Sequence, residues 1–166
     1  RTAVRWLTDA AAGLDRADPC RLRPLCIALL ARAHAQFGDA DTATELLSSL
    51  RNHSALHPVF EPERLIAEAW TAAAAGSRSE GAHYAMRAAS AAADRELWSV
   101  EASALHLACR MGKADAVAAR LRELTGQIDG DLVTAYAEHA SALAAVNGDQ
   151  LDVVAETFAR LGAMLL

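Results

Sequence analysis

The sequence predicts an all-α chain: antiparallel helix pairs stacked in about four degenerate repeats. Three observations carry that expectation. Alanine supplies roughly a quarter of the 166 residues and aromatics only 5%. It is the strongest helix former, and its short side chain lets helices approach closely. β-branched residues are sparse and scattered, which leaves little material for a sheet. Finally, Gly38, Gly76, Gly112 and Gly148 recur at intervals of 38, 36 and 36 residues, each between two helical stretches.

The stretches before these glycines read Ala31-Arg-Ala-His-Ala-Gln-Phe37, Ala69-Trp-Thr-Ala-Ala-Ala-Ala75, Leu105-His-Leu-Ala-Cys-Arg-Met111 and Ser141-Ala-Leu-Ala-Ala-Val-Asn147. Glycine closes a helix by taking the left-handed conformation that other residues resist. Capping residues then open the next helix: Asp39 and Asp41 after Gly38, Asp149 after Gly148, and Ser77 with Glu80 at capping-box spacing after Gly76. Those second helices carry apolar faces at 3–4 spacing. The faces are Ala43, Leu46, Leu47 and Leu50; then Ala114, Val117, Ala118, Leu121 and Leu124; then Leu151, Val154, Ala155, Phe158, Leu161 and Leu165. The second helix from Ser79 to Asp94 is different, offering only Ala82, Ala85, Ala88, Ala89 and Ala92, a face small enough for very close packing.

A helix–turn–helix unit of about 34 residues, with glycine in the turn and a small residue about five later, is the tetratricopeptide pattern. Gly38 and Gly112 fit its offsets, Gly148 needs a one-residue slip, and Gly76 matches weakly through Gly81, Ala85 and Ala88. Such pairs bury their apolar faces by stacking into a solenoid, so residues 1–166 are expected to form one tetratricopeptide-like α-solenoid. An additional helix is expected from Thr2 to Gly13, followed by a linker with Pro19 and Pro24. Pro58, Pro62 and the Asn52-His53-Ser54 cluster predict a longer inter-repeat loop over 51–64. The first residues lack an initiator Met and the last run into an apolar helical pattern, as expected of a segment from a larger protein.

Charge and composition narrow the function classes. With 16 basic and 21 acidic residues the net charge is −5, and the only basic enrichment, Arg16, Arg21 and Arg23, is interrupted by Asp15 and Asp18. A nucleic-acid surface needs a denser basic face, so this segment is not expected to hold DNA itself. No apolar run reaches spanning length, and no signal peptide is visible. Three cysteines, Cys20, Cys26 and Cys109, suit a reducing, cytoplasmic setting better than a disulfide scaffold.

The chain has no phosphate-binding loop, nucleophile elbow or zinc-helix motif. His106 with Cys109, and Cys26 with His34, lack the closely spaced pairs that converge on zinc. No cofactor or metal is expected. His53 and His57 share the proline-bearing loop, where a pH-sensitive or ligand-touching pair is weighed against two histidines with no task. Glu138 and His139, adjacent on a helix, diverge by ~100° and so do not face a common substrate. Tryptophan and tyrosine combine a large apolar body with a polar handle. Trp70, Tyr84, Trp98, His106 and Tyr136 are therefore the candidate contacts for an effector or partner. The alternative is that the aromatics fill gaps between alanine-rich helices.

From His57 onward the chain resembles a known group. The relevant stretches are His57-Pro-Val-Phe-Glu-Pro-Glu63, Ala69-Trp70, Ala104-Leu-His-Leu-Ala-Cys-Arg-Met-Gly112, Tyr136-Ala-Glu-His-Ala-Ser-Ala-Leu143, and the run from Gly148 to the end. They are similar to the helical-repeat region of actinobacterial LuxR-family, MalT-related transcriptional regulators. The resemblance implies a non-catalytic regulatory sensor that relays effector or protein-partner binding to a DNA-binding domain elsewhere in the parent. Neither a nucleotide-binding motif nor DNA-binding helices occur here, and no effector-binding residues transfer by position. A second reading is a self-associating scaffold, whose contact would be the apolar face around Phe158, Leu161, Leu165 and Leu166.

Overall fold

Alanine-rich amphipathic stretches punctuated by turn residues give an all-helical chain with no strand among the described residues. The computed structural model describes residues 2–53 and 57–163, the side chains of 51–53 excepted. In order the helices are α1 (Thr2–Arg16), α2 (Arg23–Gln36), α3 (Ala40–His53), α4 (Glu61–Ala74), α5 (Arg78–Ala93), α6 (Trp98–Ala108), α7 (Ala114–Leu124), α8 (Asp131–Ala144) and α9 (Gly148–Arg160). None is long and apolar enough to cross a membrane.

Consecutive helices pack as pairs: α2 with α3, α4 with α5, α6 with α7, α8 with α9. The first helices also meet one another in sequence, α2 against α4, α4 against α6 and α6 against α8. The largest core runs from α4 to α9 and includes Leu105, Leu107, Val117, Leu121, Leu124, Val154 and Phe158. Around α2 and α3 a smaller cluster joins Ala28, Ala31, Ala35, Ala43 and Leu47 to Ala67 of α4. Helix α1 attaches through Ala11, Leu7 and Leu14 to Cys26 and Ile27.

The expected loop over 51–64 is much shorter. Residues 51–53 finish α3, Pro58–Phe60 form a single 3-10 turn, and α4 already begins at Glu61. Pro62 sits in the first turn of α4, where its missing N–H would be unbonded in any case, so this proline starts a helix and breaks none. Pro24 plays the same part in α2. Further, α1 extends three residues beyond the Gly13 expected to end it.

The four pair turns differ in chemistry. Gly38, Gly76 and Gly112 have φ of 84°, 84° and 93°, as the repeat predicts. The fourth turn departs from it: Val146 holds the left-handed position at φ 51°, and Gly148 is the first residue of α9. The left-handed turn position thus lies two residues before the glycine expected to hold it. Backbone bonds from Asn147 N to Ala142 O and from Ser77 N to Ala72 O close the fourth and second turns alike, confirming that Val146 replaces Gly76. Caps differ as well. Asp39 Oδ1 accepts from Thr42 N at 3.2 Å as expected. Asn147, not Asp149, caps α9 by accepting from Gln150 N at 3.2 Å. Ser77 makes no side-chain cap, so no capping box forms.

A β-branched residue in the left-handed region costs about 1–2 kcal/mol, partly offset on replacement by the ~0.4–1 kcal/mol entropy penalty of glycine. Val146 is 88% exposed, so little packing is at stake. Val146→Gly should raise the thermal midpoint by a degree or two, and Gly76→Val should lower it by several. Thermal unfolding of both variants checks this; the opposite ordering would contradict the assigned turn geometry.

Candidate functional site

One cavity collects side chains from all four first helices. Arg32 comes from α2, Ile66 and Trp70 from α4, Ser103, His106 and Leu107 from α6, Arg110 from the turn after it, and Tyr136 from α8. Its volume is about 40 Å³, room for a polar head group or a few waters. Trp70, His106 and Tyr136 are thus brought together. Tyr84 and Trp98 are not. Tyr84 lies on α5 beside His83 and under Arg87, whose guanidinium carbon is 5.7 Å from its ring centre. Trp98 opens α6 and borders a separate groove with Leu97, Val100 and Ile128.

Within the cluster, packing fixes each ring. His106 is 2% exposed and stacks on Tyr136 with centroids 4.0 Å apart and planes 10° from parallel. Its Nε2 is 2.8 Å from His139 Nδ1, and Phe158 of α9 closes on both imidazoles. Burial, then the neighbouring His139 and Arg110, depress the His106 pKa to about 3. The pKa of His139 is also lowered, chiefly by burial. Both rings are therefore neutral near pH 7, one donating and the other accepting along the shared bond. Among the described residues no third metal-ligating side chain joins them. Burial raises the Tyr136 hydroxyl above its ordinary pKa, and the nearby Ser103 side chain partly opposes this; Ser103 Oγ itself donates to Ser99 O at 3.0 Å.

The cationic side of the cavity is less settled electrostatically. Arg110 places its guanidinium carbon 5.0 Å from the Trp70 ring centre, and its carbonyl accepts a 2.8 Å bond from Arg78 Nη2 of α5. Burial lowers the Arg110 pKa, and no carboxylate stands among the groups that oppose this shift. Arg32 forms an ion pair with Glu63 at 3.7 Å, longer than a hydrogen bond. Glu63 Oε2 is itself buried without a hydrogen-bond partner.

Other buried charge is already used for packing. Glu101 of α6 is 3% exposed and takes two hydrogen bonds from Arg120 of α7, at 2.7 and 3.1 Å. Arg120 also sits over Trp98, which accounts for that tryptophan as part of the α6–α7 joint. Arg64 bonds both Glu61 and Glu68 along α4.

Sequence reasoning missed Ser103; it noticed Arg32 and Arg110 only as too few first-helix cations for a peptide clamp, and His139 only beside Glu138. Adjacency to Glu138 drew attention away from His139, whose partner lies 33 residues earlier on a different helix. The repeat offers the one usable signal: His106 is six residues before Gly112, and Trp70 six before Gly76. Of the loop histidines, His57 is exposed and its Nδ1 accepts from Val59 N, while the side chain of His53 lies outside the described residues. The supposed self-association face also changes: Phe158 is buried in the core. Leu161 is 37% exposed, and Leu165 and Leu166 lie outside the described residues. An open groove of about 320 Å³ borders Leu151, Val154, Ala155 and Phe158 instead. No known protein family, curated protein or solved structure matches the chain.

The depressed imidazoles set a pH dependence. Folding holds His106 neutral, so its contribution is complete above pH 6.5 and is lost as pH falls toward 3. Between pH 7 and pH 5 this group alone should remove about 2 kcal/mol of stability, with His139 adding to the same trend. Denaturant unfolding at both pH values should show the loss in the wild type and a flatter dependence in His106→Gln. Equal pH slopes in the two proteins would contradict the buried neutral pair.

Proposed function

We propose that this chain is a regulatory binding segment: a tetratricopeptide-like solenoid in a LuxR-type, MalT-related transcriptional regulator. It relays effector or partner binding to a DNA-binding domain outside the segment, and it catalyses no reaction. The observation that carries this reading is the shared cavity, to which α2, α4, α6 and α8 each contribute a polar or aromatic side chain. An occupant touching Arg32, Trp70, His106, Arg110 and Tyr136 would lock the angles between four consecutive first helices. In a stack whose units contact only their neighbours, such locking changes the geometry of the whole array. The occupant drives the switch only if it binds one arrangement more tightly than the other. The structural employment of Glu101, Arg120, Arg64 and the neutral imidazole pair supports the non-catalytic part of the reading.

A scaffold that associates with itself is the second reading, favoured by the open apolar groove along α9 and by Val153, 60% exposed on the same helix.

Light scattering and Trp emission, recorded together across a panel of metabolites, separate the two. The sensor reading predicts a concentration-independent monomer whose emission shifts with one compound, and loss of that shift in Trp70→Phe. A concentration-dependent dimer blind to every compound would overturn it in favour of the scaffold.

A further inference from the structure

The hydrogen bond between His106 Nε2 and His139 Nδ1 joins two separate cavities. His106 lines the small first-helix cavity, whereas His139 lines the groove of about 320 Å³ bordered by α8 and α9. The rest of that groove is apolar: Leu151, Val154, Ala155, Phe158, Ala159 and Ala163. Among the described residues His139 is its single polar side chain, and no charged side chain lines it. Apolar walls around one fixed polar group are the usual make-up of a small-molecule cleft, and the volume falls at the small end of the ~300–1,000 Å³ range. His139 is half-buried, with Phe158 edge-on to its ring at 5.8 Å between centroids. Its Nδ1 is occupied by His106, and Nε2 has no hydrogen-bond partner among the described residues. A neutral imidazole carries one proton, so its two nitrogens are tied together. When Nδ1 donates to His106, Nε2 is an acceptor; when Nδ1 accepts, Nε2 is an N–H donor. Burial and the nearby Arg110 both keep this ring uncharged.

We propose that the α8–α9 groove binds a small uncharged molecule with an apolar body and one hydroxyl, an alcohol or a phenol, whose oxygen bonds His139 Nε2. A hydroxyl both donates and accepts, so it fits Nε2 in either tautomer, whereas a ketone or an ether fits only one. A carboxylate would find no cation in the groove and an ammonium no carboxylate, so either would lose its hydration uncompensated. The apolar body is held by burial against Val154 and Phe158. Once bound, the hydroxyl selects the tautomer of His139 and with it the direction of the bond to His106. That ring stacks on Tyr136 at 4.0 Å inside the first-helix cavity, which gives the groove a route to the cavity. The groove stands apart from that cavity, so its ligand does not depend on the sensor reading.

Ring-nitrogen NMR of the histidine-labelled full chain, with His139 assigned from His139→Phe, tests this at neutral pH. Phenol, toluene, benzoate and benzylamine are titrated in turn. The expected result is saturable movement of both His139 nitrogens with phenol, which binds about fivefold more tightly than toluene. Ala155→Leu, which fills the groove from an exposed position and leaves the core intact, should abolish binding. His139→Phe, confirmed folded by circular dichroism, should bind phenol no better than toluene. Equal affinity for phenol and toluene in the native protein, with the His139 nitrogens unmoved, overturns the proposal and leaves only an apolar crevice. Tighter binding of benzoate or benzylamine than of phenol overturns the uncharged class. No binding up to the solubility limit overturns the site, and a concentration-dependent dimer weakened by Ala155→Leu then gives the groove to a second copy. Phenol at His139 with tryptophan emission unchanged supports the site and counts against the sensor reading. An emission change from another metabolite, in a protein that does not bind phenol, overturns the site and keeps that reading.

Discussion

The arrangement of the cavity depends on one close approach, that of α5 against α4 and the end of α6. Gly81 lies so near its neighbours that a Cβ built there would meet the Ala69 carbonyl oxygen at 2.8 Å and Met111 Sδ at 2.9 Å. Ala69 precedes Trp70, and Met111 follows Arg110. Gly81 therefore meets the backbone just before Trp70 and the side chain just after Arg110, the two members of the cation–π pair. The rest of the α5 face, Ala82, Ala85, Ala88, Ala89 and Ala92, is equally small and fully buried, so the helix works as a thin spacer between α4 and α6. Ridges this low allow helix axes to draw closer than leucine-bearing faces permit.

From this spacing follows the electrostatic character of the site. With α4 and α6 drawn together and α8 behind α6, His106 and Tyr136 are buried, while His139 and the Arg110 guanidinium are half-buried beside them. Desolvation disfavours every charged form, and the groups answer it differently. The imidazoles stay neutral and share a hydrogen bond; the half-buried Arg110 keeps its charge over the Trp70 face.

Much of the helical organisation was legible because alanine content, 3–4 apolar spacing and turn glycines act locally. Gly38, Gly76 and Gly112 mark turns because only the backbone decides their conformation. Val146 was illegible for the complementary reason: a β-branched residue carries no left-handed signal, and its neighbour Gly148 supplied a false one. Proline misled similarly at Pro62, since the same ring that breaks a helix interior is well placed in a first turn. The site was half visible. Trp70, His106 and Tyr136 stood out by residue type, but residue type also raised Tyr84 and Trp98, which pack on other surfaces. Arg110, Arg32 and His139 acquire their meaning only from residues distant in sequence, and no local pattern encodes a 33-residue hydrogen bond.

The most direct measurement is the stability and near-ultraviolet dichroism of Gly81→Ala. Helix propensity alone favours alanine over glycine by about 1 kcal/mol, so an uncrowded helix would gain stability from this change. Close packing against the Ala69 backbone predicts the reverse: a lower thermal midpoint, together with an altered tryptophan signal as Trp70 shifts on Arg110. A more stable protein with an unchanged tryptophan signal would contradict the dependence of the site on this contact.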